Sequence, residues 1–189
     1  VIGGPPCQFA SRFVSIIIAK GNTVAENLIP EFVRCVQEAK PTWWLMENVP
    51  KAPEPFADGY QSRSLIYNNR WAPEGPEQNR VRRFTLGTPD GKEIIPEVGI
   101  FDNPVKEPAV CASGGTMPGA PTHRKTRLEY RGWNTAAALG ISLRLQGLPP
   151  DFCDKMPFTI TGKHLVVGNG VPLPMGRVIA KAVRKATSP

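Results

Sequence analysis

The sequence predicts an α/β fold, because strand-like and helix-like segments alternate along its first half. Residues 43–46 form a short apolar run before a polar turn, which is typical of a buried strand. Residues 83–86 form a second strand-like run. Apolar residues recur at helical spacing from Leu28 to Ala39. This succession of segments favours a sheet whose strands run parallel.

The first helix is expected to begin near Thr23, because Thr23 and Glu26 have the spacing of a capping box. It should end at Lys40, since Pro41 cannot continue a helix. Pro30 fits this helix only in the first turn, where its missing N–H leaves no hydrogen bond unmade.

Two further helices are predicted after a loop-rich stretch. Prolines and glycines interrupt residues 88–122 and break any long periodicity. Residues 136–145 then have a helical pattern, and the last helix covers residues 175–184. The apolar face of that last helix consists of Val178, Ile179, Ala182 and Val183.

The length and charge of the chain limit its possible functions. A chain of 189 residues is expected to form one compact domain, or one domain with a small insertion. Its 23 Lys and Arg exceed its 16 Asp and Glu, and the net charge of +7 suits a polyanionic partner, although ordinary basic proteins have it too. No apolar run approaches the roughly 20 residues of a membrane helix. The chain starts at Val1 without a secretion signal, which indicates a sequence entered partway through.

The four cysteines are widely spread along the chain. No C-x-x-C pair occurs, and no histidine lies at metal-ligand spacing from a cysteine. This pattern argues against a disulfide framework and against a bound metal. A reduced, cytoplasmic protein is therefore expected.

Two chemically reactive side chains follow strand-like segments. Cys7 lies in a loop of glycines and prolines, where a rigidly held thiol can act as a nucleophile. Glu47 follows the strand at residues 43–46, so it can share a pocket with Cys7 and donate a proton. Taken singly, a buried structural cysteine and a capping or surface glutamate are the commoner roles.

Gln78, Arg80 and Arg82 are expected on one face, because side chains alternate along an extended chain. Two guanidiniums and an amide on one face suit a phosphate or a base carbonyl. The alternative is a solvated strand edge that is protected by its charge.

Five motifs occur in an order that resembles the DNA cytosine-5 methyltransferase family. In chain order, they resemble the family's motifs IV, VI, VIII, IX and X. The matching segments are Gly-Pro-Pro-Cys-Gln at 4–8, Glu-Asn-Val at 47–49, Gln-x-Arg-x-Arg at 78–82, Arg-Leu-Gln-Gly-Leu-Pro at 144–149 and Gly-Asn-Gly-Val-Pro at 168–172. The resemblance implies a partial Rossmann-like fold of S-adenosylmethionine-dependent methyltransferases. It also implies a catalytic region at 1–87, a short, loop-rich target recognition region at 88–135, and a return to the catalytic domain at 136–189.

The resemblance implies methyl transfer from S-adenosylmethionine to carbon 5 of a cytosine in double-stranded DNA. Cys7 matches the family's nucleophile, which adds to carbon 6, and Glu47 matches the carboxyl group that protonates ring nitrogen 3. Arg82 matches the arginine that contacts the base, and Arg80 matches its neighbour in the motif. The base has to be flipped out of the duplex before it can react.

The resemblance also implies where the methyl donor and the DNA bind. Pro6, Asn169 and Val171 match positions beside the cofactor. Gln78 and a basic cluster in the recognition region are expected to contact DNA. The cluster consists of Arg124, Lys125, Arg127 and Arg131, and the alternative for it is a solvated charged surface.

The sequence departs from the family pattern at several places. Glu77 separates Pro76 from Gln78, and Gly140 and Ile141 replace the Arg-Glu pair that usually precedes Arg-Leu-Gln. The family's Phe-x-Gly-x-Gly cofactor turn and its acidic ribose ligand have no match. We therefore expect a partial enzyme that is inactive without an N-terminal cofactor half, in cis or as a separate polypeptide.

Two other functions stay open. A non-catalytic DNA-binding module would keep the basic segment without using Cys7. A tRNA cytosine-5 methyltransferase would use the same catalytic residues on RNA, since one branch of the family modifies tRNA. For the DNA enzyme, the resemblance implies a restriction–modification role in the cytoplasm of a bacterial or phage-infected cell.

Overall fold

The protein has a mixed α/β architecture. The computed structural model describes residues 1–10, 18–19, 21, 23–24, 26–73, 78–99, 107–110 and 136–188. Its elements are the strands β1 (Ile2–Gly3), β2 (Trp44–Asn48), β3 (Gln61–Asn68), β4 (Gln78–Asn79), β5 (Val81–Thr88) and β6 (Glu107–Pro108), and the helices α1 (Ile29–Ala39), α2 (Ala136–Leu145), α3 (Ile160–Asn169) and α4 (Leu173–Thr187). Within this described part of the chain, no helix has the length and apolar character needed to cross a membrane.

The chain separates into two compact units. The first consists of Val1–Tyr67, Val81–Pro96 and Ala180–Pro189, and the second consists of Asn68–Arg80 and Glu97–Ile179. The division into residues 1–87, 88–135 and 136–189 stays a prediction, because most of residues 88–135 lie outside the described ranges.

The first unit is built on a four-stranded sheet with the strand order β1-β2-β5-β3. β1 pairs with β2 in parallel, which confirms the predicted direction for these two strands. β5 pairs with β2 antiparallel, so the parallel prediction is wrong for residues 83–86. Two consecutive strands can lie side by side in parallel only if a crossover of a dozen or more residues, usually a helix, connects them. The chain enters β5 from its other sheet neighbour, β3, through residues 69–80, whose described part contains no α-helix.

Helix α1 begins later than its predicted start at Thr23. The side chain of Asn27 accepts a hydrogen bond from the Ile29 backbone N–H at 3.0 Å, which satisfies one of the unpaired donors of the first turn. Pro30 falls in the first turn, as predicted. The predicted end is also confirmed, since Lys40 takes a left-handed backbone conformation with φ 44° and donates its N–H to Val36 O.

The core of the first unit packs α1 against β2. Phe32 of α1 meets the Trp44 ring edge-on, with ring centroids 5.8 Å apart. Two glycines allow these aromatic rings to lie against the sheet. A Cβ atom on Gly3 would lie 2.6 Å from Phe32, and a Cβ on Gly87 would lie 2.0 Å from Trp44. The rest of this core cluster comprises Ile29, Val36, Met46, Ala52 and Ala57.

The second unit contains α2, α3 and the first part of α4. Helix α2 has the bounds predicted from the sequence, whereas α4 extends past both predicted ends. All four predicted residues on the apolar face of α4 are buried. The core of this unit consists of Val110, Leu139, Leu143, Leu145, Cys153 and Val167. Strand β3 and helix α3 were not predicted.

We expect Gly87→Ala to lower the free energy of unfolding by about 1–3 kcal/mol, because overpacking a filled core forces side chains and backbone to shift. The new methyl group would overlap the buried Trp44 indole. Gly140→Ala is the matched control, since no atom lies within 4 Å of its Cβ position in α2. There we expect roughly 0.5–1 kcal/mol of stabilisation. Urea unfolding of both variants tests this, and equal midpoints would contradict it.

Candidate active site

The parallel pairing of β1 and β2 brings two chemically reactive segments to one edge of the sheet. Ile2 lies opposite Leu45 and Gly3 lies opposite Met46. Both strands therefore end side by side, as parallel neighbours do. The loop that carries Cys7 leaves β1 at this edge, and Glu47 occupies the adjacent end of β2. A Cβ atom on Gly4 would lie 3.3 Å from Glu47 Oε2, so the loop passes directly beside the carboxylate.

Asn48 anchors the Cys7 loop to β2. Its side chain is almost fully buried, and its Nδ2 donates to the Pro5 carbonyl at 3.1 Å. Pro5 and Pro6 have no N–H, so this loop cannot be closed by their own backbone donors. After the loop, Ala10 N–H donates to Cys7 O at 3.0 Å within a 3-10 turn, Gln8–Ala10. The backbone is therefore held on both sides of Cys7.

Glu47 forms an ion pair with Arg82 across the antiparallel pair of β2 and β5. The distance from Arg82 Nε to Glu47 Oε1 is 2.9 Å. Glu47 lies opposite Phe84, and Arg82 is the diagonal neighbour on the same face of β5. Both side chains are only about a fifth exposed (22% and 17%), so solvent screens the contact less than it screens a surface pair. Arg82 also donates to Val81 O, which fixes the guanidinium further.

The expected common face of Gln78, Arg80 and Arg82 does not form. β4 ends at Asn79 and β5 begins at Val81, and the Arg80 N–H donates to Gln78 O in a turn between the two strands. Side chains alternate only along continuous extended chain, so this turn breaks the pattern.

Gln78 and Arg80 are instead buried in the second unit. Gln78 is fully buried and accepts from Asn69 Nδ2 at 3.3 Å, which does not suit the predicted contact with DNA. Arg80 donates to the carbonyls of Val110, Gly168 and Gly170. Arg82 alone of the three lies beside Glu47 in the first unit.

The three described cysteines have different environments. Cys7 is half-buried in its loop, and Cys35 is exposed on α1. Cys153 is buried in the core of the second unit, and desolvation raises the pKa of its thiol. A raised pKa lowers the thiolate fraction, so Cys153 is a poor nucleophile. Of the described cysteines, Cys7 is the one in the loop that passes beside the Glu47 carboxylate.

The remaining predicted site residues are only partly described. Pro6 is exposed on the Cys7 loop. In the second unit, Asn169 is the exposed last residue of α3 and Val171 is 38% exposed in the segment after it. The basic cluster of Arg124, Lys125, Arg127 and Arg131 lies outside the described residues. Within the described ranges, no three His, Cys, Asp or Glu side chains are grouped to hold a metal ion.

Two buried amide side chains, one in each unit, were not singled out from the sequence. Asn48 holds the Cys7 loop, and Gln146 donates from Nε2 to the carbonyls of Val167 and Gly170. The sequence signal that could have identified them is the high proline and glycine content of the segments that they hold. Proline carbonyls in such loops lack neighbouring N–H groups, so a nearby amide is a natural donor.

The first part of the chain matches a known protein family, and about half of the chain matches individual relatives. Residues 1–55 match the sequence profile described as C-5 cytosine-specific DNA methylase. Type II methyltransferase M1.HphI of Haemophilus parahaemolyticus is 34% identical over 107 residues, which are 50% of this chain and 28% of that protein. Type II methyltransferase M.SacI of Streptomyces achromogenes is 34% identical over 105 residues, 49% of this chain and 27% of the relative. The matched segments thus span less than a third of either relative.

Solved structures show the same kind of fold. The Entamoeba histolytica methyltransferase EhMeth superposes with a TM-score of 0.61 at 15% identity, covering 100% of this chain and 77% of that one. The S. pombe Dnmt2 methyltransferase gives a TM-score of 0.56 at 13% identity, covering 97% and 76%. At these identities the likeness establishes a methyltransferase fold, which agrees with the mixed sheet of the first unit.

We expect Asn48→Ala to destabilise the protein by about 1–3 kcal/mol, since it leaves the Pro5 carbonyl without its donor in a partly buried place. The same change should speed alkylation of Cys7, because the loop is released on one side. Gln37→Ala is the control, as the Gln37 amide makes a similar but exposed bond to Asp58 O at 3.4 Å. Urea unfolding and mass spectrometry of iodoacetamide-treated protein measure both effects. An Asn48→Ala variant that behaves like Gln37→Ala would contradict the anchoring role.

Proposed function

We propose that this protein methylates carbon 5 of cytosine in double-stranded DNA, since residues 1–55 match the family described as C-5 cytosine-specific DNA methylase. One observation carries the proposal. The Glu47–Arg82 ion pair lies at the sheet edge from which the Cys7 loop departs. A thiol, a carboxylate and a guanidinium on adjacent strand ends are the groups that this chemistry needs.

Cys7 is the proposed nucleophile. Its thiolate forms a bond to carbon 6 of cytosine, and the electron pair of the 5,6 double bond moves toward carbon 5. The anchored loop supports this role, since it holds the backbone around Cys7 and leaves the side chain half-buried. A base that is stacked in the duplex cannot reach such a loop, so the target cytosine has to be flipped out.

Glu47 is proposed to protonate ring nitrogen 3 of the flipped base. Protonation draws electron density from carbon 6 and so assists the addition of the thiolate. Arg82 contacts Oε1, so the proton that Glu47 transfers is carried on Oε2 of its protonated form. A guanidinium has more N–H donors than its contacts with Glu47 and Val81 use, so Arg82 can also donate to the carbonyl oxygen of the base.

The methyl donor that the family implies is S-adenosylmethionine. In the second unit, the exposed amide of Asn169 can donate and accept hydrogen bonds and Val171 offers an exposed apolar contact, so these two residues fit polar and apolar parts of this donor. Pro6, which is exposed in the first unit, stays a predicted contact. When bound, S-adenosylmethionine supplies the electrophilic methyl group to carbon 5. Loss of the carbon-5 proton then restores the 5,6 double bond and expels the Cys7 thiolate.

We expect Cys7→Ser to abolish covalent capture of duplex DNA that contains 5-fluorocytosine, in an assay that supplies S-adenosylmethionine and the expected N-terminal cofactor half. Fluorine at carbon 5 cannot leave as the proton does, so Cys7 stays bound to the base once the methyl group is transferred. Cys35→Ser is the control, because Cys35 is exposed on α1 away from the loop. Denaturing gel electrophoresis detects the adduct. An adduct that survives in Cys7→Ser would overturn the catalytic assignment and favour the non-catalytic DNA-binding module.

We expect Glu47→Gln to slow adduct formation by about 10²–10⁴-fold, which is the usual contribution of a positioned proton donor. The amide keeps the shape of the side chain but loses the transferable proton and the ion pair with Arg82. Glu38→Gln, an exposed helix-surface change, is expected to have no effect. Time courses of adduct formation at saturating DNA give the rates, and a Glu47→Gln rate within threefold or so of the control would contradict the proton-donor role.

Methyl transfer from radiolabelled S-adenosylmethionine to duplex DNA and to tRNA separates the two catalytic alternatives. Our proposal expects incorporation into DNA and dependence on Cys7. Incorporation into tRNA alone would assign the same residues to an RNA substrate.

A further inference from the structure

The segment that joins α3 to α4 is held at both ends by side chains. Helix α3 ends at Asn169, and Gly170 follows with φ −65° and ψ 153°. This is an extended conformation, so the helix lacks the left-handed residue that commonly satisfies its last carbonyls. The Gly170 N–H still donates to Val166 O at 3.2 Å. The later carbonyls of the turn need donors from elsewhere in the unit.

Gln146 and Arg80 supply those donors. Gln146 Nε2 donates to Val167 O at 2.6 Å and to Gly170 O at 3.1 Å. One terminal nitrogen of Arg80 donates to Gly168 O at 2.9 Å and to Gly170 O at 3.1 Å, and the other donates to Val110 O at 2.8 Å. A cation at the C-terminus of a helix also interacts favourably with the helix dipole.

Gln146 holds the other end of the segment as well. Its backbone carbonyl accepts from the N–H of Leu173, the first residue of α4, at 2.8 Å. Gly147, next to Gln146, has a φ of 68°, and a Cβ atom there would lie 2.6 Å from Pro174. Gln146 therefore fixes the segment 170–172 at both ends, through its side chain at Gly170 and through its backbone carbonyl at Leu173.

The anchoring groups are buried while the anchored residues face solvent. Arg80 is 4% exposed and Gln146 is 1% exposed, whereas Asn169, Gly170 and Val171 are all exposed. Taking a guanidinium out of water is costly, and an ordinary surface turn does not require it. This arrangement is suited to presenting the outer atoms of the segment in one conformation, which lowers the entropic cost of binding a ligand.

We propose that Arg80 and Gln146 are positioning residues for the methyl donor, and that they act by fixing the segment from Asn169 to Val171. The proposal rests on the function proposed above, in which Asn169 and Val171 contact S-adenosylmethionine. It assigns Arg80 a role through the backbone of this segment and no contact with the reacting base. Arg80 and Arg82 thus serve different parts of the reaction, although they belong to one sequence motif.

Hydrogen–deuterium exchange of the 189-residue chain tests the positioning. We expect Gln146→Met and Arg80→Met to speed exchange in peptides covering residues 167–173 by about tenfold or more, with α2 peptides unchanged. Arg80→Lys should restore part of the protection, because a lysine can still donate to these carbonyls. Arg177→Met, an exposed change within the same unit, is the control. Unchanged exchange at 167–173, or equal acceleration throughout the unit, would overturn the proposal.

Calorimetric titration with S-adenosylmethionine, in the presence of the expected N-terminal cofactor half, tests the link to the cofactor. We expect both Met variants to bind about tenfold more weakly than the wild type and the Arg177→Met control. Local acceleration of exchange with unchanged affinity would show that the two residues are merely structural. A wild type that binds no S-adenosylmethionine would remove this segment from the cofactor site. Neither result depends on the Cys7 adduct, which tests the proposed function separately.

Discussion

The pairing of β2 on both of its edges is the constraint on which the candidate site depends. Its parallel partner, β1, delivers the Cys7 loop, and its antiparallel partner, β5, delivers Arg82. The buried face of β2 meanwhile carries Trp44 and Met46 into the core. Because side chains alternate along a strand, a one-residue shift in either pairing would move Glu47 away from both groups. Core packing and the geometry of the candidate site are thus fixed by the same register.

Buried side-chain donors hold three of the described loops and turns, whereas others are closed by backbone hydrogen bonds. The chain has 21 prolines in 189 residues, and a proline supplies no backbone N–H that could close a turn. Asn48 donates to Pro5 O beside Cys7, and Arg83 donates to Pro53 O in the loop that follows Glu47. Arg80 and Gln146 do the same for the turn after α3. Each donor offsets the cost of its own burial by satisfying carbonyls that would otherwise be unpaired.

Local patterns predicted the helices better than the strands. The bounds of α2 and the buried face of α4 follow from apolar spacing over several turns, which a helix expresses within its own sequence. Strand β3 was missed because its residues Gln61–Asn68 are largely polar and partly exposed, so they lack a buried-strand signature. Helix α3 contains glycines, which weaken any prediction of a helix. The start of α1 was misplaced because the side chain that satisfies its first turn belongs to Asn27.

The sequence by itself determined the chemical groups and their order: a thiol in a rigid loop, a carboxylate after a strand, and an arginine pair before another strand. Only the tertiary structure decided how they are used. It paired Arg82 with Glu47, turned Arg80 toward the end of α3, and set β5 antiparallel to β2. The physical reason is that residue type and spacing act locally. Strand direction and the partner of a buried guanidinium depend instead on residues that are distant in the chain.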